Sequence, residues 1–294
     1  MLNFVLKTHR VAALAVGAAM VLVALYLATQ TYRIKIAPAE LQAAMNNVNW
    51  PKTEAAAAAA REGIVNPRGV VKMFDLDAEG NLPAIWSVVQ LIAAALLLLV
   101  IAKHHRTVGD GTSWLWMILG FGFLFLALDE GGSIHSSFYL SSSTQGVRKA
   151  RGIFYFSWII PAMIAVAVVG LFYLRFLWRL PTATRWLFIL AGAWYVGSAV
   201  GGEMAQGWWA AQGLSKVRFS WAAMTIAEEA GEMLSIALFV CTLLDYMRRE
   251  SITLQLRVVG AAAPAVLAVR SAPIKHLQPS LDDVEEEAGM MLPR

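Results

Sequence analysis

Six stretches of the chain stay apolar for long enough to cross a membrane, and that fixes more about its fold than anything else in the sequence. At 1.5 Å of rise per residue, residues 11–29, 84–102, 114–138, 153–178, 186–208 and 220–246 approach or exceed the ~30 Å of a bilayer's hydrocarbon core. With 58% of 294 residues hydrophobic and only 15% charged, a soluble core could not absorb so much apolar surface. The expected fold is therefore all-α, a polytopic membrane bundle of six transmembrane helices. If the spans alternate, Lys7, Arg10, Lys103, Arg106, Arg175, Arg179, Arg185, Arg248 and Arg249 fall on one side. The positive-inside rule makes that side the cytoplasm and puts both termini there. A net charge of +4, with the basic residues at segment ends, leaves no footprint for nucleic acid. Cys241 is the one cysteine and lies in an apolar run, so no intrachain disulfide can form and packing is its expected role.

Four regions follow. Residues 1–29 read as an N-terminal signal-anchor helix, uncleaved because its apolar run exceeds an ordinary signal peptide's. Residues 30–83 are an outer-side, periplasmic excursion with short helices, one of them "TEAAAAAARE" with Thr53 as its expected cap. Residues 84–247 form a five-helix membrane core, and residues 248–294, with scattered prolines and the run "DDVEEE", read as a largely disordered cytoplasmic tail.

Carboxylates inside the spans carry the functional signal. Counted from the cytoplasmic ends, Asp129 stands about 24 Å along the third span, Glu203 about 27 Å along the fifth, and Glu232 and Glu228 about 24 and 30 Å along the sixth. Asp129, Glu130, Glu203, Glu228, Glu229 and Glu232 thus share a layer near the outer face. Singly, each would cost about 2.5–3.5 kcal/mol in hydrocarbon; together they can share a cation. Glu228 and Glu232 are four apart and lie on one helix face, with Glu229 and Glu232 as the three-apart alternative. On a straight helix Glu130 and His135 point about 140° apart, so His135 joins the acids only if Gly131 and Gly132 break the third helix. The plainer reading ends that helix at Gly131 as its C-cap and leaves Asp129 and Glu130 in headgroup water. Just before the second span, "FDLDAEGNLPAIWS" matches the first half of a calcium loop through Asp75, Asp77, Glu79 and Gly80, but Trp86 stands where the bidentate Glu belongs. It reads as an acidic outer turn over the helix ends that could donate Glu79 or Asn81.

The combination of "FDLDAEGNLPAIWS", "LALDEGGSIHS" and "AEEAGEMLSIALF" resembles a group of bacterial multi-pass inner-membrane proteins of unknown function, over roughly residues 70–247. The resemblance implies a bacterial inner-membrane location and transfers no activity. One His at the site separates the chain from di-iron carboxylate bundles, which use Glu-x-x-His twice, and from ceramidase-like hydrolases, which use several.

Asp129, Glu130, His135, Glu203, Glu228, Glu229 and Glu232, not all together, are the candidate ligands of one or two divalent ions. Oxygen-rich ligation with one imidazole suits Mn, Fe or Mg better than Zn, and an open position could activate water against a lipid or periplasmic substrate. No organic cofactor is implied. Two other readings stand beside this one: a proton- or cation-coupled carrier, disfavoured by a nearly charge-free inner half, and a non-enzymatic subunit or assembly factor with a membrane-protein partner. His104 and His105, in the "KHHR" turn, fall on the wrong side to join the acids.

Overall fold

The computed structural model describes residues 8–47, 51, 53–134, 152–156, 158–214, 216–257 and 266–271. The fold is all-α, with six helical runs long and apolar enough to cross a membrane. Helix α1 (Thr8–Thr31) passes through a π-helical turn (Tyr32–Ile36) into α2 (Ala37–Met45), so the first run is longer than the expected 11–29. The short helices α3 (Glu54–Val65) and α4 (Val70–Met73) follow, then the five core helices α5 (Leu82–Thr107), α6 (Ser113–Gly132), α7 (Ile159–Arg179), α8 (Thr182–Ala211) and α9 (Phe219–Arg249).

Helix α9 sits at the centre: 61% of its most apolar window is buried, against 44% for α5 and 17–22% for the other four runs. Lipid tails cannot solvate a carboxylate, so the helix most enclosed by protein is where intramembrane acids are tolerated. Small residues bring neighbours close. A Cβ added at Gly120 of α6 would stand 3.0 Å from Leu99 Cδ2 and 3.4 Å from Ala95 O of α5. One added at Gly202 of α8 would stand 2.6 Å from Glu228 Cγ of α9, so glycine is what admits that carboxylate between the two helices.

The end of the bundle away from the acids is held by a hydrogen-bonded chain. His105 Nδ1 lies 2.6 Å from Asp110 Oδ2 and His105 Nε2 lies 2.9 Å from Tyr246 Oη. With its proton on Nδ1, the ring donates to the carboxylate and accepts from the tyrosine hydroxyl. Thr112 donates to Asp110 from its backbone N–H and its hydroxyl, both at 2.9 Å. Trp116 of α6 stacks on the imidazole at 11°, with centroids 5.7 Å apart. This clasp joins α5, the α5–α6 turn and α9. The contact of Cys241 Sγ with Thr8 O, 3.9 Å, puts the start of α1 near this same end of α9.

Three local expectations differ from the structure. Thr53 occupies the N-cap of α3 in extended conformation, but its side chain makes no capping hydrogen bond; its carbonyl accepts from Ala57 at 2.9 Å. Helix α6 does not break or cap at Gly131: it continues through Gly131 and Gly132 and stops at Ser133, whose left-handed φ of 52° turns the chain while its N–H bonds Asp129 O. In the region expected to be a disordered tail, β1 (Ile252–Arg257) pairs antiparallel with β2 (Val266–Ser271). Both are rich in β-branched and aliphatic residues, a strand signal that the neighbouring prolines obscured.

Two measurements check this packing. Gly202→Ala lowers stability in detergent by about 1–3 kcal/mol through overpacking, whereas Gly201→Ala, with nothing within 4 Å, does not; thermal unfolding of both variants decides. At the clasp, burial raises the Asp110 carboxyl, but hydrogen bonds from Thr112 and His105 outweigh it and hold the group below the usual range. A depressed carboxyl contributes stability above its unfolded value and loses it as pH falls through the folded one. Asp110→Asn therefore lowers the thermal midpoint at pH 7, and the gap to wild type closes below about pH 3.9.

Candidate functional site

The acidic turn is built first by local hydrogen bonds. Asn81 caps α5, accepting from Ala84 N at 3.2 Å, and its amide donates to Asp75 O at 2.6 Å and Lys72 O at 3.1 Å. All of its bonds are structural, so Asn81, expected as a donor to the site, instead holds the turn in shape. Asp75 is likewise occupied: Arg33 Nη1 reaches it at 3.0 Å, and Asp77 N bonds its Oδ1 at 3.3 Å. Burial pushes the Asp75 carboxyl above its ordinary range, with Arg33 pulling the other way. Leu76 tucks under the turn against Ala19, Tyr26, Ala222 and Met233. Leu76 anchors the turn, and the stretch from Leu76 to Glu79, with the carboxylates of Asp77 and Glu79, lines a cavity.

That cavity has a volume of about 280 Å³ and lies between the turn, Ala84 of α5, Glu130 of α6, Glu203 and Gln206 of α8, Glu228 and Glu229 of α9, Phe156 and Lys216. Six carboxylates, those of Asp77, Glu79, Glu130, Glu203, Glu228 and Glu229, meet one lysine among the described lining residues. Lys216 lies 3.4 Å from Asp77 Oδ2 and 4.5 Å above the Trp221 ring, which draws its charge to the rim. Buried Gln206 donates from Nε2 to Glu228 Oε2.

Below the rim the acids continue inward. Glu229 interacts with Glu232, Glu130, Asp77 and Glu203, and Glu232 with Glu130, Glu228 and Glu203. Tyr195 of α8 faces the same group, with Glu232, Glu130, Asp129 and Glu229 as its charged neighbours. Asp129 and Glu232 do not line the cavity; both are among the charged neighbours of Tyr195. Among the described residues no three Asp, Glu, His or Cys side chains converge as ligands of one ion. His135 lies outside the described residues. His104 and His105 belong to the opposite end, as expected, where His105 is engaged by Asp110 and Tyr246.

Of the sequence candidates, the structure gathers Glu79, Glu130, Glu203, Glu228 and Glu229 around one cavity. Sequence reasoning missed Gln206 and Tyr195 and gave Asp77 no part in the site. Gln206 had a signal: it stands three residues after Glu203, on the same helix face. Tyr195 had none beyond being a hydroxyl on an acid-bearing helix.

No curated protein and no solved structure matches the chain. Residues 13–247, which include part or all of each of the six helical runs and every acid of the site, match the family described as a domain of unknown function, DUF8692, and the chain belongs to that family.

Proposed function

We propose that this protein binds a divalent cation in the acidic cavity, at the periplasmic face of a bacterial inner membrane. The observation that carries the reading is the lining itself: among the described residues, six carboxylates from α6, α8, α9 and the acidic turn surround about 280 Å³, with one lysine drawn to the rim. So many acids near hydrocarbon depth need either protons or a cation to offset their repulsion and desolvation. The lining oxygens are spread around the space rather than drawn to a point. A volume of this size has room for several waters around an ion. That combination suits an ion that keeps part of its water shell, Mg²⁺ or Mn²⁺ rather than a fully caged one. A cation-bound water would supply a nucleophile for hydrolysis of a lipid headgroup or a periplasmic substrate. The orientation follows the charge bias, because Lys103, Arg106, Arg175, Arg179, Arg185, Arg248 and Arg249 flank helix ends away from the acids.

Equilibrium dialysis of detergent-purified full chain against Mn²⁺, followed by elemental analysis, tests this. Wild type retains at least one equivalent, and Glu203→Gln and Glu228→Gln bind at least tenfold more weakly. Wild-type protein that is folded and takes up no Mn²⁺ would sink the proposal.

A further inference from the structure

The arginines at the end of the bundle away from the acids are of two kinds. Arg248 and Arg249 of α9 are matched, reaching Asp245 at 2.8 and 2.6 Å. Arg175 and Arg179 of α7 and Arg185 of α8 make no ion pair among the described residues. The sequence leaves them no acid close by, since no Asp or Glu occurs between Glu130 and Glu203. The other acids described at this end have neighbours of their own, Asp110 in His105 and Thr112, and Glu250 in His104 and Tyr246.

Only Leu180 and Pro181 separate α7 from α8, so the three arginines stand near one level. Arg175 is about 6 Å before the end of α7, and Arg185 about 4.5 Å beyond the start of α8. Trp178 and Trp186, both exposed, put that level at the headgroups. The Arg185 guanidinium carbon lies 4.6 Å from the centroid of the Trp178 ring, and its buried Nε has no hydrogen-bond partner among the described residues. Stacking on an indole holds a guanidinium by its face and leaves the N–H groups along its edge for a bidentate acceptor such as phosphate.

The α7 surface that leads to this level is apolar and uncovered. At 100° per residue, Ile164, Val168, Leu171, Arg175, Trp178 and Arg179 fall within a sector of about 100°. Ile164, Val168, Leu171 and Trp178 are each at least 60% exposed. Tyr173 and Phe176, on the other side, are buried against α6: Tyr173 donates to Leu115 O at 2.8 Å, and Phe176 packs on Trp116 with centroids 4.9 Å apart. An exposed apolar stripe that ends in three cations without acids is complementary to acyl chains under a negatively charged headgroup. We infer that the α7–α8 turn binds an anionic phospholipid, its phosphodiester between Arg175, Arg179 and Arg185 and an acyl chain along the exposed stripe of α7. A zwitterionic lipid offers the same chains and phosphate, but its own ammonium cancels the charge that the arginines lack. This site lies at the opposite end from the acidic cavity and does not depend on a cation there.

The test titrates full-length protein in a neutral detergent with phosphatidylglycerol, phosphatidylcholine or inorganic phosphate, counting bound lipid by native mass spectrometry and recording the thermal midpoint. Wild type binds phosphatidylglycerol at least fivefold more tightly than phosphatidylcholine, and its midpoint rises with phosphatidylglycerol but not with inorganic phosphate. The double variant Arg175→Gln/Arg185→Gln loses at least fivefold in phosphatidylglycerol affinity, while its lipid-free midpoint stays near that of wild type because no ion pair is removed. Arg179→Gln, at an exposed position that cannot disturb packing, shows a smaller loss in the same direction. The control Arg248→Gln/Arg249→Gln removes the same number of charges and keeps the affinity. Equal losses in the two double variants would reduce the effect to general attraction between charges and overturn the site. So would a wild type that does not distinguish the two lipids, whether its arginines are left to water or matched by the acidic run at 282–287. Stabilisation by inorganic phosphate as large as that by phosphatidylglycerol would make the ligand a free anion and overturn the lipid assignment.

Discussion

A carboxylate inside a hydrocarbon-thick bundle must be surrounded by protein, and the architecture at this end of the molecule follows from that requirement. Helix α9 carries Glu228, Glu229 and Glu232 and is the most enclosed of the spans. Gly202 leaves room for Glu228 between α8 and α9, and buried Gln206 donates to it. The acidic turn closes over the top, shaped by the bonds of Asn81 and anchored by Leu76 among apolar side chains. Each of these features would be an unexplained cost without the acids. With them, they form one arrangement in which six carboxylates line a cavity.

The opposite end supplies the register that this enclosure needs. The chain from Asp110 through His105 to Tyr246 fixes how far α5 is advanced relative to α9. From there a dry seam containing Leu91, Leu98, Ile101, Phe239 and Leu243 runs back toward the acids. Close-packed side chains transmit position with little slack. A polar clasp at one end therefore sets the heights at which Glu228 and Glu232 stand at the other.

The legible part of the site was its height, and the illegible part was its direction. A rise of 1.5 Å per residue is the same for every helix, so counting along the chain was enough to put Asp129, Glu203 and Glu232 in one layer. Which of them share a cavity depends on how helices rotate against one another, and that is set by contacts such as Gly120 with Leu99 and Gly202 with Glu228. Hence Glu130, Glu203, Glu228 and Glu229 line the space while Asp129 and Glu232 lie outside its lining. Local sequence also misled at Gly131: a glycine after two acids suggested a cap, but close packing against Val88 of α5, 3.5 Å from its added Cβ, is compatible with a helix that simply continues.

The sequence by itself determined that this chain is a six-helix membrane protein with acids gathered near one end, because apolar length and helical rise are properties of the chain alone. The tertiary structure decided that α9 is the central helix, that Asp77 and Gln206 belong to the cavity, and that Asn81 serves the turn instead. Those outcomes depend on rotation and register between helices, which arise only when side chains from distant parts of the chain compete for the same space.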